Sequence, residues 1–175
     1  MLHKATIAGL AMDAASNTPI ILLKTEDEGQ TLPIWIGLLE ATSIASALQE
    51  IQFDRPMTHD LFKNLTQMLN VQINRVDICD LRDNTFYAEI HFASEEKSFT
   101  MDARPSDAIA MAVRTTIPIF VDEEVMKVGA YIPEENESGE IEKTTKNYGT
   151  VADELEKAKE QLQKAVENEE YEQAA

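Results

Sequence analysis

Residues 71–105 read VQINRVDICDLRDNTFYAEIHFASEEKSFTMDARP, and this stretch decides the fold. Apolar and polar side chains alternate over Val71–Asp80 and again over Thr85–Phe92, which predicts two strands. The linking residues 81–84 place Asp and Asn at a turn, so the two strands form a hairpin. A further strand is predicted over Lys97–Asp102. Together these patterns predict three strands, the first two paired as a hairpin.

A helix is predicted immediately after these strands. Pro105 suits the first turn of a helix, and Ser106 or Asp107 could serve the helix start. Upstream, apolar residues recur at helical spacing over about residues 38–51, and Thr58 is a good N-cap for a second helix. The expected apolar stripe of that second helix is Leu61, Phe62, Leu65, Met68 and Leu69.

The beginning of the chain predicts a meander of three strands, over about residues 3–13, 19–23 and 31–36. A short strand over residues 117–121 is followed by a last short helix over 122–128, with Gly129 expected at its C′ position. The predicted class is α+β, with a mixed or antiparallel sheet, a few packed helices and a C-terminal helix.

Composition changes sharply near residue 133. Residues 133–175 carry 13 acidic and 5 basic side chains, a net charge of −8 out of −17 for the whole chain. The predicted organisation is a domain over residues 1–132, an acidic linker over 133–149 and a helix over 150–175. The apolar positions of this helix form a narrow seam that calls for a partner helix, and they are Val151, Leu155, Ala158, Leu162 and Ala165.

Targeting and membrane signals are not evident in the sequence. No stretch approaches the roughly 20 apolar residues that a membrane helix needs. The N-terminal residues do not resemble a signal peptide, and Cys79 is the only cysteine, so neither an intramolecular disulfide nor a thiolate zinc cluster is expected. The interpretation is a cytoplasmic protein without a membrane segment.

Four local motifs resemble the bifunctional nuclease family. In chain order they are LPIWIG at 32–37 with Glu40-Ala41, RPMTHDL at 55–61, DNTFYA at 83–88, and DARPSDAIA at 102–110. The resemblance covers about residues 2–130. It implies an α+β fold that forms homo-oligomers, and a nuclease that acts on DNA and RNA.

The tail carries a second resemblance, to the first helix of the UVR motif, which excision-repair and protein-quality-control partners share. The motif is incomplete, because the turn and second helix that usually follow are not present in the sequence. The resemblance implies a helix-mediated protein partner. The residues that carry it are Leu155, Leu162, Ala165, Glu169, Tyr171, Glu172, Ala174 and Ala175.

The motifs contain the parts that metal-assisted phosphodiester cleavage needs. His59, Asp60, Arg104 and Asp107 are the candidate catalytic residues, with His59 as a metal ligand or general base. Arg55 and Thr58 are candidate substrate-binding residues, since Arg holds phosphate bidentately and a hydroxyl donates a hydrogen bond. Glu40 and Asp102 are the candidate metal ligands, for Mg²⁺ or Mn²⁺.

Each of these residues also has a structural interpretation. Thr58 and Asp60 open a helix, where a capping hydroxyl and an acidic first turn are ordinary, and Glu40 could compensate a helix dipole in the same way. Asp107 could form a structural ion pair with Arg55 or Arg104.

Two functions therefore stand side by side. The first is a metal-dependent nuclease acting on DNA or RNA with little sequence preference. The net charge of −17 opposes nonspecific phosphate binding unless divalent cations bridge carboxylates to phosphates. The second is a non-catalytic oligomeric scaffold that recruits a repair or proteolysis partner through the C-terminal helix.

Overall fold

The computed structural model describes residues 1–13, 16–27 and 29–130. These residues form one mixed sheet with helices packed on it, which confirms the predicted α+β class. The predicted C-terminal helix, the linker and the UVR-like motif lie outside the described residues. The elements are β1 (Leu2–Asp13), β2 (Thr18–Thr25), β3 (Thr31–Trp35), α1 (Leu38–Leu48), α2 (Thr58–Met68), β4 (Gln72–Arg82), β5 (Thr85–Ala93), β6 (Ser98–Ala103), α3 (Pro105–Thr115), β7 (Ile119–Asp122) and α4 (Glu123–Gly129).

The seven strands of the described part are ordered β3-β2-β1-β7-β4-β5-β6. The first three form the predicted antiparallel meander, and β4, β5 and β6 form the second antiparallel unit. Strand β7 lies between these units, antiparallel to β1 and parallel to β4. Helix α3 supplies the crossover that a parallel pairing requires, and it packs over β4 and β5.

A two-residue turn joins β4 to β5. Asp83 and Asn84 both have positive φ, at 48° and 59°, which is the left-handed conformation that a type I′ hairpin turn requires. Asn and Asp tolerate this conformation better than other residues with side chains. The sequence prediction of a hairpin with Asp and Asn at its turn is confirmed.

The core is formed by the sheet together with helices α1, α3 and α4. Its largest fully buried side chains include Ile44 on α1, Ile109 on α3 and Val76 on β4. Helices α1 and α3 contact each other as well as the sheet, so their first turns are held in fixed relative positions. None of the helices in the described residues combines the length and the apolar character that crossing a membrane requires.

Three local expectations are wrong. Helix α2 is capped by Met57, and Thr58 is its first helical residue, because the Met57 amide is satisfied by the side chain of Asp60 at 2.9 Å. Gly129 is the last residue of α4 rather than its C′ residue. Helix α1 ends at Leu48 rather than near residue 51.

The apolar stripe predicted for α2 is mostly exposed. Phe62 is half-buried and makes an edge-to-face contact with Phe92 of β5, with ring centroids 6.3 Å apart. The other four stripe residues are exposed within the described part of the chain, where α2 packs mainly against α3 and β4. The exposed members are Leu61, Leu65, Met68 and Leu69.

Candidate functional site

Helix α1 begins directly after β3 and places Glu40 in its first turn. The carboxylate of Glu40 lies over Gly37, the N-cap residue. A Cβ at position 37 would stand 2.2 Å from Oε2 of Glu40, so this position of the carboxylate requires glycine. The close approach fixes where Glu40 presents its oxygens.

Arg104 connects the end of β6 to α3 and occupies the N-cap position of that helix. Its Nε donates to Oδ2 of Asp107 at 2.7 Å, and its Nη2 donates to Oδ1 of Asp107 at 3.2 Å. Its Nη1 donates to Oε1 of Glu40 at 2.9 Å. One guanidinium therefore bridges two carboxylates from different helices. The side chain is still 66% exposed, which leaves it accessible to a ligand.

His59 joins this cluster from the first turn of α2. Its Nε2 lies 3.1 Å from Oδ1 of Asp107, and its Nδ1 lies 2.9 Å from the hydroxyl of Ser43 on α1. An ionised carboxylate only accepts hydrogen bonds, so Nε2 carries the proton toward Asp107. Neither ring nitrogen is free to take a proton from a substrate or to bind a metal in this arrangement.

Charge pairing shifts the pKa values of the cluster. Burial by itself raises the pKa of Asp107, but hydrogen bonds from Arg104 and His59 outweigh burial and hold that pKa below its usual value. The hydrogen bond to Asp107, with the charge of Asp107 and Glu40, raises the pKa of Arg104. The carboxylate of Asp107 and the guanidinium are thus both charged at neutral pH.

A cavity of about 280 Å³ lies beside the Glu40–Arg104 contact. It is bounded by the end of β3 and the start of α1, by the β4–β5 turn, and by the β6–α3 connection. Three of the four motifs therefore meet at one cavity, and the fourth reaches it through His59 and Asp107. The residues that line the cavity are Ile34, Trp35, Ile36, Gly37, Glu40, Asn84, Thr85, Phe86, Arg104, Pro105 and Ser106.

Asp60 belongs to a different cluster. Its Oδ1 accepts from Nε of Arg114 on α3 at 2.8 Å, and its Oδ2 accepts the Met57 amide. Burial raises the pKa of Asp60, but the hydrogen bonds from Arg114 and Met57 outweigh it and lower that pKa. The Arg114 side chain is only 6% exposed. The bond from the Met57 amide fits the expected role of Asp60 in the first turn of α2, and the pair with Arg114 adds a contact between α2 and α3.

Three more predicted site residues stand outside the Arg104 cluster. Arg55, Thr58 and Asp102 are exposed. Within the described part of the chain, no hydrogen bond or ion pair of their side chains is found. Asp102 lies on β6, opposite Glu89 of β5. The structure therefore brings together Glu40, His59, Arg104 and Asp107, and separates them from the other four candidates.

The described side chains do not form a metal centre as they are placed. No group of three or more His, Cys, Asp or Glu residues among them could hold an ion. Of the two predicted ligands, Glu40 is paired with Arg104 and Asp102 lies apart on β6. The guanidinium occupies the position between Glu40 and Asp107 that a cation would have to take. Dependence on Mg²⁺ or Mn²⁺ stays a prediction.

Sequence reasoning missed Ser43. It is not one of the apolar residues whose helical spacing over about residues 38–51 predicts α1, which suggests a solvated position, yet the residue is only 4% exposed. The one signal in the sequence was its spacing: Ser43 follows Glu40 by three residues, so both lie on one helix face. Arg114 was also missed, and nothing in its local sequence points to Asp60.

The chain is similar to proteins of one family. The model of the bifunctional nuclease domain matches residues 21–133. An uncharacterized protein of Mycobacterium tuberculosis is 38% identical over 162 residues, which cover 92% of this chain and 93% of that protein. Bifunctional nuclease 1 of Arabidopsis thaliana is 33% identical over 110 residues, or 59% of this chain and 33% of the plant protein. Bifunctional nuclease 1 of Oryza sativa subsp. japonica is 27% identical over 116 residues, which are 65% of this chain and 35% of the rice protein.

Proposed function

The chain belongs to the bifunctional nuclease domain family, and on that premise we propose that it hydrolyses phosphodiester bonds in DNA, RNA or both at the cavity beside Arg104. The observation that carries the proposal is the meeting of the four motifs around one bridging guanidinium. A planar guanidinium matches two phosphate oxygens, and a site that binds any phosphodiester has little sequence preference.

Arg104 is the proposed phosphate-binding residue. Three of its five N–H groups donate to Asp107 and Glu40, and two have no partner within the described residues. The bidentate pair with Asp107 holds the guanidinium in place, while the single contact with Glu40 is the one that a phosphate can displace. Once bound, the guanidinium stabilises the negative charge that develops on the phosphoryl oxygens.

Glu40 is the proposed general base. Released from Arg104 by the incoming phosphate, its carboxylate lies beside the cavity and takes a proton from the attacking water. The water oxygen forms the new bond to phosphorus, the bond to the leaving oxygen breaks, and that oxygen gains a proton from solvent. His59 acts differently from the sequence expectation of a base or metal ligand: it orients Asp107, and Asp107 orients Arg104.

The test is a nuclease assay on single- and double-stranded DNA and RNA with the full chain. Wild type, Arg104→Ala, Glu40→Gln and Arg55→Ala are purified in parallel, with Mg²⁺, Mn²⁺ or a chelator. Cleavage that needs Arg104 and Glu40 but not Arg55 supports the proposal. Equal cleavage by all four proteins would mean a contaminating nuclease. The chelator arm tests the predicted metal dependence separately.

The scaffold alternative requires the chain to self-associate. A surface separate from the Arg104 cavity supports such an association. Strand β6 is an edge of the sheet, and it carries neither a proline nor a bulge, whereas the opposite edge strand, β3, contains Pro33. Phe99 of β6 stacks on Phe92, which also contacts α2, so the open edge adjoins the exposed apolar stripe of α2. We propose that a second copy of the chain covers this surface.

Light scattering tests the association. Leu65→Glu places a charge in the exposed stripe and should yield monomers, whereas Gln67→Glu adds the same charge to the exposed polar side of α2 and should not. A wild-type protein that is monomeric at high micromolar concentration would contradict the proposed association. Protein partners of the C-terminal helix stay a prediction.

A further inference from the structure

Ser43 makes a hydrogen bond unlike those of its neighbours on α1. The hydroxyls of Thr42 and Ser46 both donate to the carbonyl four residues earlier, on Leu38 and Thr42, each at 2.8 Å. This is the ordinary way for a helical hydroxyl to satisfy itself. The Ser43 hydroxyl instead lies 2.9 Å from Nδ1 of His59, a side chain of another helix. Helix formation does not require this hydrogen bond, so its role concerns His59.

The tautomer of the neutral His59 ring follows from its contact with Asp107. Because Asp107 accepts at Nε2, Nδ1 of the neutral ring is left with its lone pair, and the Ser43 hydroxyl donates to it. A 180° turn of the ring would place carbon atoms opposite both partners and break both hydrogen bonds. Asp107 selects the tautomer, and Ser43 and Asp107 together hold the ring in one orientation.

Ser43 is not placed to be a nucleophile. In hydrolytic triads the serine contacts Nε2 and the acid contacts Nδ1, with the serine open to substrate. Here the two contacts are exchanged, and Ser43 is 4% exposed beneath the cluster. The burial of Ser43 therefore keeps its oxygen from substrate in this arrangement.

We propose that Ser43 is a positioning residue for the Arg104 cavity, an inference that rests on the proposed nuclease function. It holds the ring of His59 in the orientation in which Nε2 donates to Oδ1 of Asp107. Asp107 in turn holds the guanidinium of Arg104 through two hydrogen bonds. A path of hydrogen bonds thus leads from the buried hydroxyl of Ser43 to the exposed guanidinium of Arg104. A change at Ser43 therefore alters the position of the proposed phosphate-binding group.

Ser46 provides the matched control. It lies on the same helix, is 2% exposed, and donates to a helix carbonyl without touching His59. Ser46→Ala therefore removes a buried hydroxyl of equal size without altering the path to Arg104. Any effect that Ser43→Ala shares with Ser46→Ala is structural, and an effect confined to Ser43→Ala belongs to the path.

The first readout is the side-chain nitrogen NMR spectrum of histidine in the full, labelled chain at pH 8, with His59→Gln to assign His59 among the three histidines. Wild type and Ser46→Ala should show His59 protonated at Nε2 only. Ser43→Ala should release the ring from this orientation, so that Asp107 no longer faces Nε2 in every molecule and a mixture of the two tautomers appears. A wild-type ring protonated at Nδ1, or a pure Nε2–H signal in Ser43→Ala, would overturn the proposal.

The second readout is cleavage by the same proteins. Loss of one hydrogen bond from the path should lower kcat/KM of Ser43→Ala about tenfold, with Ser46→Ala at the wild-type value. Equal rates for the two variants overturn the positioning role even if the tautomer changes. If the wild type has no nuclease activity, the proposed function is refuted. The tautomer measurement then still decides whether Ser43 holds the His59 ring in its orientation. If Ser43→Ala unfolds, Ser43→Cys replaces it, because a thiol of similar shape is a much weaker donor and should give the same two effects.

Discussion

Nε2 of His59 lies 3.1 Å from Oδ1 of Asp107, although 48 positions separate the two residues in the chain. This contact ties the first turn of α2 to the first turn of α3. Asp107 is thereby held from one side by His59 and from the other by Arg104, so the guanidinium that faces the cavity is oriented by groups on two helices. A side chain held in this way keeps its geometry before substrate arrives, which is what electrostatic catalysis requires.

The first prediction concerns Arg104. Arg104→Ala should lower kcat/KM for DNA or RNA cleavage by about 10²- to 10³-fold, the usual effect of removing a charge-stabilising donor. Arg104→Lys should lose most of the activity as well, since an ammonium group cannot make the bidentate contact with Asp107 and also reach Glu40. Arg55→Ala is the matched control, and its rate should stay within about fivefold of wild type, since a lone surface contact with phosphate contributes about 1 kcal/mol or less. An Arg55→Ala defect as large as that of Arg104→Ala would place the site elsewhere.

The second prediction concerns the glycine beneath Glu40. A Cβ in Gly37→Ala would collide with Oε2 of Glu40, and the flexible carboxylate would move away. Activity should therefore fall as far as it does in Glu40→Gln, while stability changes by less than about 1 kcal/mol because alanine is only a poorer N-cap. Gly9→Ala is the control, since no atom lies within 4 Å of its added carbon. Kinetics combined with thermal unfolding measure both effects, and full activity in Gly37→Ala would refute a role for the position of Glu40.

The strands could be predicted from the sequence more fully than the helix packing. Alternation and a turn of Asp83 and Asn84 indicate the β4–β5 hairpin, because the turn conformation depends on those two residues alone. Whether a helix face is buried depends on what lies above it. For that reason Phe62 packs inward while Leu65, on the same predicted stripe, is exposed.

The candidate site likewise combines features that the local sequence predicts with contacts that it does not. The motifs identify Glu40, His59, Arg104 and Asp107 as candidates, because these residue types near the starts of predicted helices can be recognised from the local sequence. Their partners are not local: Ser43 reaches His59 on the next helix, and Arg114 reaches Asp60 from 54 positions away. Asp60 could therefore be assigned to catalysis from the motif, although its contacts are structural.

The third prediction tests that reassignment of Asp60. Asp60→Asn should destabilise the fold by about 1–3 kcal/mol, because it leaves the buried guanidinium of Arg114 without its charged partner. Cleavage at saturating substrate should stay at the wild-type rate, since Asp60 does not line the cavity beside Arg104. Asp54→Asn, at an exposed position of the preceding loop, should change neither quantity. A loss of activity in Asp60→Asn without loss of stability would return Asp60 to the catalytic residues.

The fourth prediction concerns acid. The pKa values of Asp60 and Asp107 are lower in the folded chain than the value of about 3.9 expected when it is unfolded. The unfolded chain therefore binds more protons over this range, and stability must fall as the pH falls from about 4 toward the folded pKa values. Replacing either residue with Asn removes its share of that proton uptake. The free energy of unfolding, measured by urea denaturation from pH 7 to pH 3, should decline less steeply for Asp60→Asn and Asp107→Asn than for wild type, and Asp54→Asn should follow the wild-type curve. Parallel curves for all four proteins would contradict the charge pairing of both carboxylates, and with it the anchoring of Arg104 by Asp107.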